Sequence, residues 1–309
     1  MDVAKDTVSV ACAHHTFAPR TLPNERTALL AFLRSLPQGS RIGLEATGHY
    51  HELLAVLAVK AGFIVFLLNP KDTRHYARGV GLRAKTDRVD AALIARLIER
   101  EHDKLHLYRP PTKAQRTLDR LLKRRHKLTT VKGILRQSLT GLGGLGRELQ
   151  TVLKRIDRLI ALIDQRLAEL ITQHPERAHV YARLQTIVGV GPIVGAGLTS
   201  ALERIPFKRA DAFVAFTGLD PRADDSGHRK GRRRLSKRGP AELRRLLFNA
   251  AMSAIKTKSW QPIYAHYRAC GWPTTACLVI IARKIARTAW SIYHHNTTFN
   301  PYRLTKCLT

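Results

Sequence analysis

The chain has 309 residues, 44% of them hydrophobic, which is ample for buried cores and favours two or three domains over one. Lys and Arg total 53 against 23 acidic residues, a formal net charge of +30 that points to a polyanionic partner, most simply nucleic acid; the competing explanation is a solubility device or a ribosomal-type structural role. Cys12, Cys270, Cys277 and Cys307 are scattered, which argues against a zinc site or a disulfide frame, and the longest apolar stretch, LLAVLAVKAGFIVFLL, is interrupted by Lys60 and Gly62, which argues against a membrane span. A soluble cytoplasmic protein is expected.

Residues 1–104 alternate β-rich runs with helical ones. VSVACA (8–13), RIGLE (41–45) and FIVFLL (63–68) read as strands, and NERTALLAFLRSL and GHYHELLAVLAVKAG between them carry helical spacing. Strands alternating with helices imply an α/β layer. From Pro110 and Pro111 the character changes. Leu118, Leu121, Leu122, Leu128, Val131, Leu135 and Leu139, then Leu149, Val152, Ile156, Leu159, Ile163, Leu167 and Leu170 beyond the break GLGGLG, predict two long amphipathic helices over 109–176. They can close as an antiparallel hairpin, pair between chains, or serve as a plain linker. Residues 177–309 read as a third, mostly helical unit that ends with the amphipathic run TTACLVIIARKIARTAWSIY.

In AKTDRVDAALIARL (84–97), Asp87 and Asp90 share a helix face with Ile94 and Leu97, a face expected to look inward. Two carboxylates brought together near a core are costly unless a cation neutralises them, and oxygen-only ligands favour magnesium or manganese. Glu45, closing RIGLE, and Asp2, at the edge of the first hairpin, are the further acids of this region. An acid on the first strand, one ending a later strand and two on a helix can hold two magnesium ions, which activate an attacking oxygen and stabilise a leaving one. Taken singly, each has a simpler explanation: Asp at a helix start is commonly a cap, and Glu45 has many basic residues to pair with.

In FTGLDPRADDSGHRKGRRRLSKRGPAELRRLLFNAA (216–251), Arg229, Lys230, Arg232, Arg233, Arg234, Lys237 and Arg238 form a dense basic run around two serines, Ser226 and Ser236. A serine hydroxyl needs a base or a charge-stabilising neighbour to become a nucleophile, and the residues alone do not choose between the two. Upstream, IVGVGP (187–192) resembles the hairpin of a helix-hairpin-helix, with Gly189 and Gly191 placed to offer backbone N–H groups to a phosphate.

The series DVAK, LEATGHY, NP at 69–70 and KTDRVDA resembles the amino-terminal domain of DEDD-type insertion-sequence transposases, the insertion-sequence 110 family, which includes pilin-gene invertases and bridge-RNA-guided recombinases. The resemblance covers nearly the whole chain, because 216–251 is similar to the family's second domain in its GLxP…SG…SKxG…LR form. It implies a RuvC-like, RNase H-type domain over 1–104, a helical coiled-coil assembly segment over 109–176 and a serine transposase domain over 177–309. It further implies Asp2, Glu45, Asp87 and Asp90 as a magnesium- or manganese-binding tetrad, and Ser226 as the nucleophile that forms a 5′-phosphoserine link to DNA. The family's composite site joins two subunits, implying a dimer or tetramer, and its guided members carry a noncoding RNA. One departure is visible: the family has several residues ahead of its first Asp, whereas here Met1 directly precedes Asp2, so either the first strand is almost absent or the start of the chain is placed too late. The alternatives are a metal-dependent junction nuclease that uses water, in which Ser226 is incidental, and a catalytically silent nucleic-acid-binding relative.

Overall fold

The computed structural model describes all residues except 15–16, 47, 83–85, 223–224, 227–230, 232 and 306–309. Its contacts divide the chain into two compact units, Met1–Pro110 and Pro111–Thr309.

The first unit opens with three antiparallel strands, β1 (Asp2–Val3), β2 (Thr7–Val10) and β3 (Arg20–Pro23), with β2 in the middle. Asp2 faces Ser9 across the β1–β2 pair. The VSVACA run therefore gives a shorter strand than its composition suggests. After α1 (Arg26–Arg34), β4 (Arg41–Glu45) and β5 (Ile64–Leu68) pair in parallel, and α2 (Glu52–Lys60) makes the crossover that parallel strands require. The amine of Met1 donates to the carbonyl of Gly43 at 2.9 Å, so the start of β1 lies against β4. Val3, Val8, Ile42, Leu44, Leu29, Phe32 and Leu54 fill the core between sheet and helices.

Two helices close this unit, α3 (Pro70–Gly79) and α4 (Asp87–Glu101). The start of α3 was written in Asn69-Pro70: the Asn69 side chain accepts from the Lys71 N–H, and proline occupies the first turn, where its missing N–H costs nothing. Thr86 caps α4 by accepting from the Val89 N–H at 3.3 Å. Ile94, Leu97 and Ile98 of α4 pack on Phe66 and Leu68 of the sheet. Gly43 makes that approach possible, because a Cβ there would stand 2.4 Å from Ile98 and 2.9 Å from Ile94.

The second unit begins with a helical hairpin, α5 (Lys113–Leu139) and α6 (Gly146–Thr172). A capping box starts α5: Thr112 accepts from the Gln115 N–H while the Gln115 side chain accepts from the Thr112 N–H. The ion pairs Arg125–Asp164 and Lys132–Asp157 run in opposite directions along the two helices, as an antiparallel pair demands. Of the arrangements open to this segment, the chain adopts the hairpin. Leu118, Leu122, Leu167 and Ile171 bury its base together with Ala196, so it clusters with the helices that follow.

Those helices are α7 (Pro175–Gln185), α8 (Pro192–Arg204), α9 (Ala210–Thr217), α10 (Ala241–Ala254), α11 (Gln261–Ala269), α12 (Thr274–His295) and α13 (Tyr302–Thr305), with a two-stranded ribbon, β6 (Pro221–Arg222) and β7 (Arg234–Leu235), between α9 and α10. The run TTACLVIIARKIARTAWSIY forms the central helix α12. Its Ile281, Ala282, Ile285, Ala286 and Ala289 are wholly buried, in one core with Leu247, Ala251 and Ala254 of α10. Small residues on both helices allow close packing, and each buried isoleucine contributes about 1.5–3 kcal/mol. The protein is thus mostly helical with a small sheet region. Among the described residues no helix is long and apolar enough to cross a membrane.

Candidate functional site

The four acids singled out in the sequence come to one edge of the first unit. Asp2 lies on β1, Glu45 ends β4, and Asp87 and Asp90 occupy the first turn of α4, where the helix dipole favours negative charge. Burial, and after it the charges of Glu45, Asp87 and Asp90, hold the Asp2 carboxyl above its ordinary range; the Met1 amine opposes this weakly. That amine is itself lowered to about 5 by burial. Asp2 therefore feels all three other carboxylates. Thr73 Oγ1 donates to Glu45 Oε2 at 2.6 Å and fixes one of its oxygens.

One expectation about this face changes. Asp90 is half-buried above the buried Ile94 and Leu97, but Asp87 is exposed, because as the first residue of α4 it stands beyond the packed part of the helix. Thr86, not an aspartate, is the cap. Among the described residues no three His, Cys, Asp or Glu side chains stand close enough to form a ready-made metal cage. The donor set still suits a hard divalent cation: it offers carboxylate oxygens only, and the neighbouring negative charges push the Asp2 carboxyl upward. Glu45 and Asp90 also line a cleft of about 380 Å³ between α3 and α4.

The second set of residues lies on the ribbon. Arg222 and Pro221 of β6 face Arg234 and Leu235 of β7. The segment between them carries Ser226, which is exposed and whose hydroxyl has no partner among the described residues. Its neighbour Asp225 takes a two-pronged grip from Arg233, at 2.7 and 2.8 Å, and a third bond from the Gly231 N–H at 3.1 Å. The Arg233 hydrogen bonds hold the Asp225 carboxyl below its ordinary value. Arg233, expected among the nucleic-acid contacts, thus braces the serine segment. Arg229, Lys230 and Arg232, and the Gly227 that follows the serine, lie outside the described residues.

Ser236 differs in every respect. It is buried, its hydroxyl donates to Asp220, and its N–H bonds the Asp220 carbonyl at 2.9 Å. The next N–H, of Lys237, reaches the Gly218 carbonyl at 3.1 Å. These bonds tie the two ends of the ribbon together. Lys237 is held at a φ of 50°, left-handed backbone that a side chain rarely adopts, and Lys237, Arg238 and Arg234 are all exposed.

In IVGVGP the two glycines have separate environments. Gly189 is packed against α10, where a Cβ would lie 2.7 Å from the Ala254 methyl and 2.8 Å from the Ala250 carbonyl oxygen. Gly191 caps α8 at an exposed position with open space beside it.

The acidic edge falls within residues 1–141, which match the family model described as Transposase, of the DEDD type of IS110 elements, and Ser226 falls within residues 181–268, which match the model described as Transposase IS116/IS110/IS902 family. This chain belongs to the IS110-type transposases. The transposase is 28% identical over 316 residues to a pilin gene-inverting protein of Moraxella bovis, which spans 97% of this chain and 96% of the relative. A pilin gene-inverting protein of Moraxella lacunata is 27% identical over 323 residues with the same coverage. A probable family 20 transposase of Pseudomonas aeruginosa is 28% identical over 169 residues, 52% of this chain and 48% of the relative. The transposase is a DNA recombining enzyme.

Proposed function

We propose that this transposase cuts and rejoins the DNA of its mobile element through a phosphoserine link, with Ser226 as nucleophile and Asp2, Glu45, Asp87 and Asp90 as the ligands of magnesium or manganese. The contrast between the two serines carries this reading. A nucleophile must present a free oxygen to a phosphate, and Ser226 is exposed with its hydroxyl unpartnered among the described residues, whereas the Ser236 hydroxyl is committed to Asp220. In the step itself, Ser226 Oγ bonds to phosphorus, the bond from phosphorus to the 3′ oxygen breaks, and the serine proton ends on that oxygen. The phosphodiester energy is kept in the 5′-phosphoserine link for rejoining. Divalent ions bound by the four carboxylates would polarise the phosphate and stabilise the leaving oxygen. Asp90 and Glu45 hold their places from helix and strand, and Thr73 fixes the Glu45 rotamer.

Several further features support the finer reading. Three antiparallel strands, with β1 laid against the parallel pair β4–β5 through the Met1–Gly43 bond and α4 packed on the sheet, suit an RNase H-type domain. Exposed Ile134, Val152, Leu159 and Leu162 on the hairpin suit assembly into a dimer or tetramer. The exposed Gly191 at the α8 start and the exposed Arg234, Lys237 and Arg238 suit contact with a phosphate backbone. A net charge of +30 suits a protein that carries a noncoding guide RNA as well as DNA.

The test is an SDS-stable protein–DNA adduct formed on the element's own ends. Wild type and Ser236→Ala should form it, and Ser226→Ala should not. A Ser226→Ala protein that still cuts DNA would establish the water-using nuclease in its place. Sequencing the nucleic acid that purifies with the protein tests the guide: a single discrete RNA matching the element's junctions is expected, and a heterogeneous mixture would remove it.

A further inference from the structure

The cleft between α3 and α4 has a basic wall as well as an acidic one. Glu45 and Asp90 line it from the sheet edge and from α4, and Arg74 and Arg78 line it from α3. Four residues apart on one helix, the two arginines share a face. Both are exposed, and neither guanidinium makes a hydrogen bond or ion pair among the described residues, although two carboxylates line the same cleft. Thr73, the residue before Arg74, bonds Glu45 in their place.

Two unpaired guanidiniums facing carboxylates across an open cleft leave room for a third, negatively charged component. A phosphodiester is the anion this enzyme handles, and planar guanidinium forks match its non-bridging oxygens. A cleft of about 380 Å³ accommodates a nucleotide's sugar and phosphate, and Leu93 and Ile94 give it an apolar side against which a sugar can rest. The carboxylates alone would repel the phosphate, and the charge on it grows as the transition state forms. Positive groups on the far wall supply what the ligand set lacks.

We propose that Arg74 and Arg78 grip the DNA phosphate being cleaved, from the side of the cleft opposite Glu45 and Asp90. This rests on the reading of that edge as the metal-binding centre. The arginines hold the non-bridging oxygens, align the phosphorus for the attacking oxygen, and neutralise charge as the bond to the 3′ oxygen breaks.

The experiment compares full-length wild type, Arg74→Gln/Arg78→Gln, Glu45→Gln, and Arg26→Gln/Arg34→Gln on α1 as a charge-matched control. Recombination of a plasmid carrying the complete element is quantified from its excised junctions. Duplex binding to an element end is measured in EDTA as a function of salt, and the co-purifying RNA is quantified. The cleft double variant should lose at least about 100-fold in junctions, as removal of preorganised charge-stabilising donors does. Its binding should also show a salt slope shallower by about 1–2 units, since each lost phosphate contact removes about 0.9. Melting temperature and RNA content should stay at wild-type values, because both side chains are exposed and unbonded. Normal junction formation by the cleft variant, with Glu45→Gln inactive, would overturn the inference and leave the metal-site reading standing. Normal formation by both would overturn that reading itself. Equal losses in the α1 control would reduce the effect to bulk charge, and a loss that tracked missing RNA would move the arginines to the RNA; either result overturns the inference.

Discussion

In the first unit the clustered acidic side chains are placed by regular structure: Glu45 by the end of a strand, Asp90 by the first turn of a helix, and the distance between them by a glycine that lets helix meet sheet. In the second unit Ser226 lies between the two ribbon strands, with side-chain ties from Asp225 to Arg233 beside it and from Asp220 to Ser236 at the neck. The acidic edge must bring like charges together and hold them, which needs rigid elements with deep cores behind them. On the proposed mechanism the serine must reach a phosphate, which needs an exposed segment that is braced and not buried. Damage to the first site should therefore come through packing, and damage to the second through single polar bonds.

The largest effect expected from that contrast is at Gly43. Gly43→Val would push side-chain atoms into Ile94 and Ile98, costing about 1–3 kcal/mol of stability. Moving α4 off the sheet should also abolish recombination, although the residue carries no chemistry. Chemical denaturation and the junction assay read the two effects, and wild-type activity in a stable Gly43→Val protein would break the comparison. Next is Ser236→Ala, which leaves the Asp220 oxygen without its hydroxyl donor and should cost about 1–3 kcal/mol while adduct formation by the folded protein is retained.

Third is the charge strain at Asp2. Asp2→Asn should raise the melting temperature measured in EDTA at neutral pH and shrink the stabilisation produced by added magnesium. The sign follows from the raised carboxyl: the folded chain takes up this proton more readily than the unfolded one, so the group's stabilising contribution is present at low pH and is lost as pH rises through its folded value. An unchanged response to magnesium would remove Asp2 from the ligand set. The smallest effect is at Lys237, where Lys237→Gly relieves left-handed backbone and should leave stability unchanged or raise it by about 1 kcal/mol. The same change should weaken DNA binding by the loss of one cation. Unaltered binding would make Lys237 a turn residue only.

Much of this architecture is legible in the chain. RIGLE is a strand with its acid at the end, and the two leucine-rich series give a helical pair, because period and turn residues act locally. A glycine inside the apolar RIGLE run was also a readable sign of close approach, though it does not name the partner. Asn69-Pro70 is a helix start in plain sight, yet α3 has few apolar residues to mark the helix that follows. What the sequence does not reveal is relative placement. That Arg74 and Arg78 look across a cleft at Glu45 and Asp90, that Asp87 stands outside the packed face, and that Arg233 serves Asp225 all depend on how separate elements meet. The choice between Ser226 and Ser236 was open for the same reason: burial and a partner at Asp220, not residue type, distinguish them.

The four-carboxylate edge draws on residues from both ends of the first unit, with Asp2 on the first strand and Asp90 on its last long helix. The Met1–Gly43 bond and the packing of Ile94 against Gly43 are contacts between distant parts of the chain. A nascent polypeptide therefore carries no complete carboxylate group until α4 has left the ribosome and docked. The helical hairpin that follows in sequence closes through pairs as far apart as Arg125 and Asp164, so it too waits for its second helix. Order of synthesis thus makes the acidic edge a late feature of its unit, and on the proposed mechanism an unfinished chain is chemically silent toward DNA.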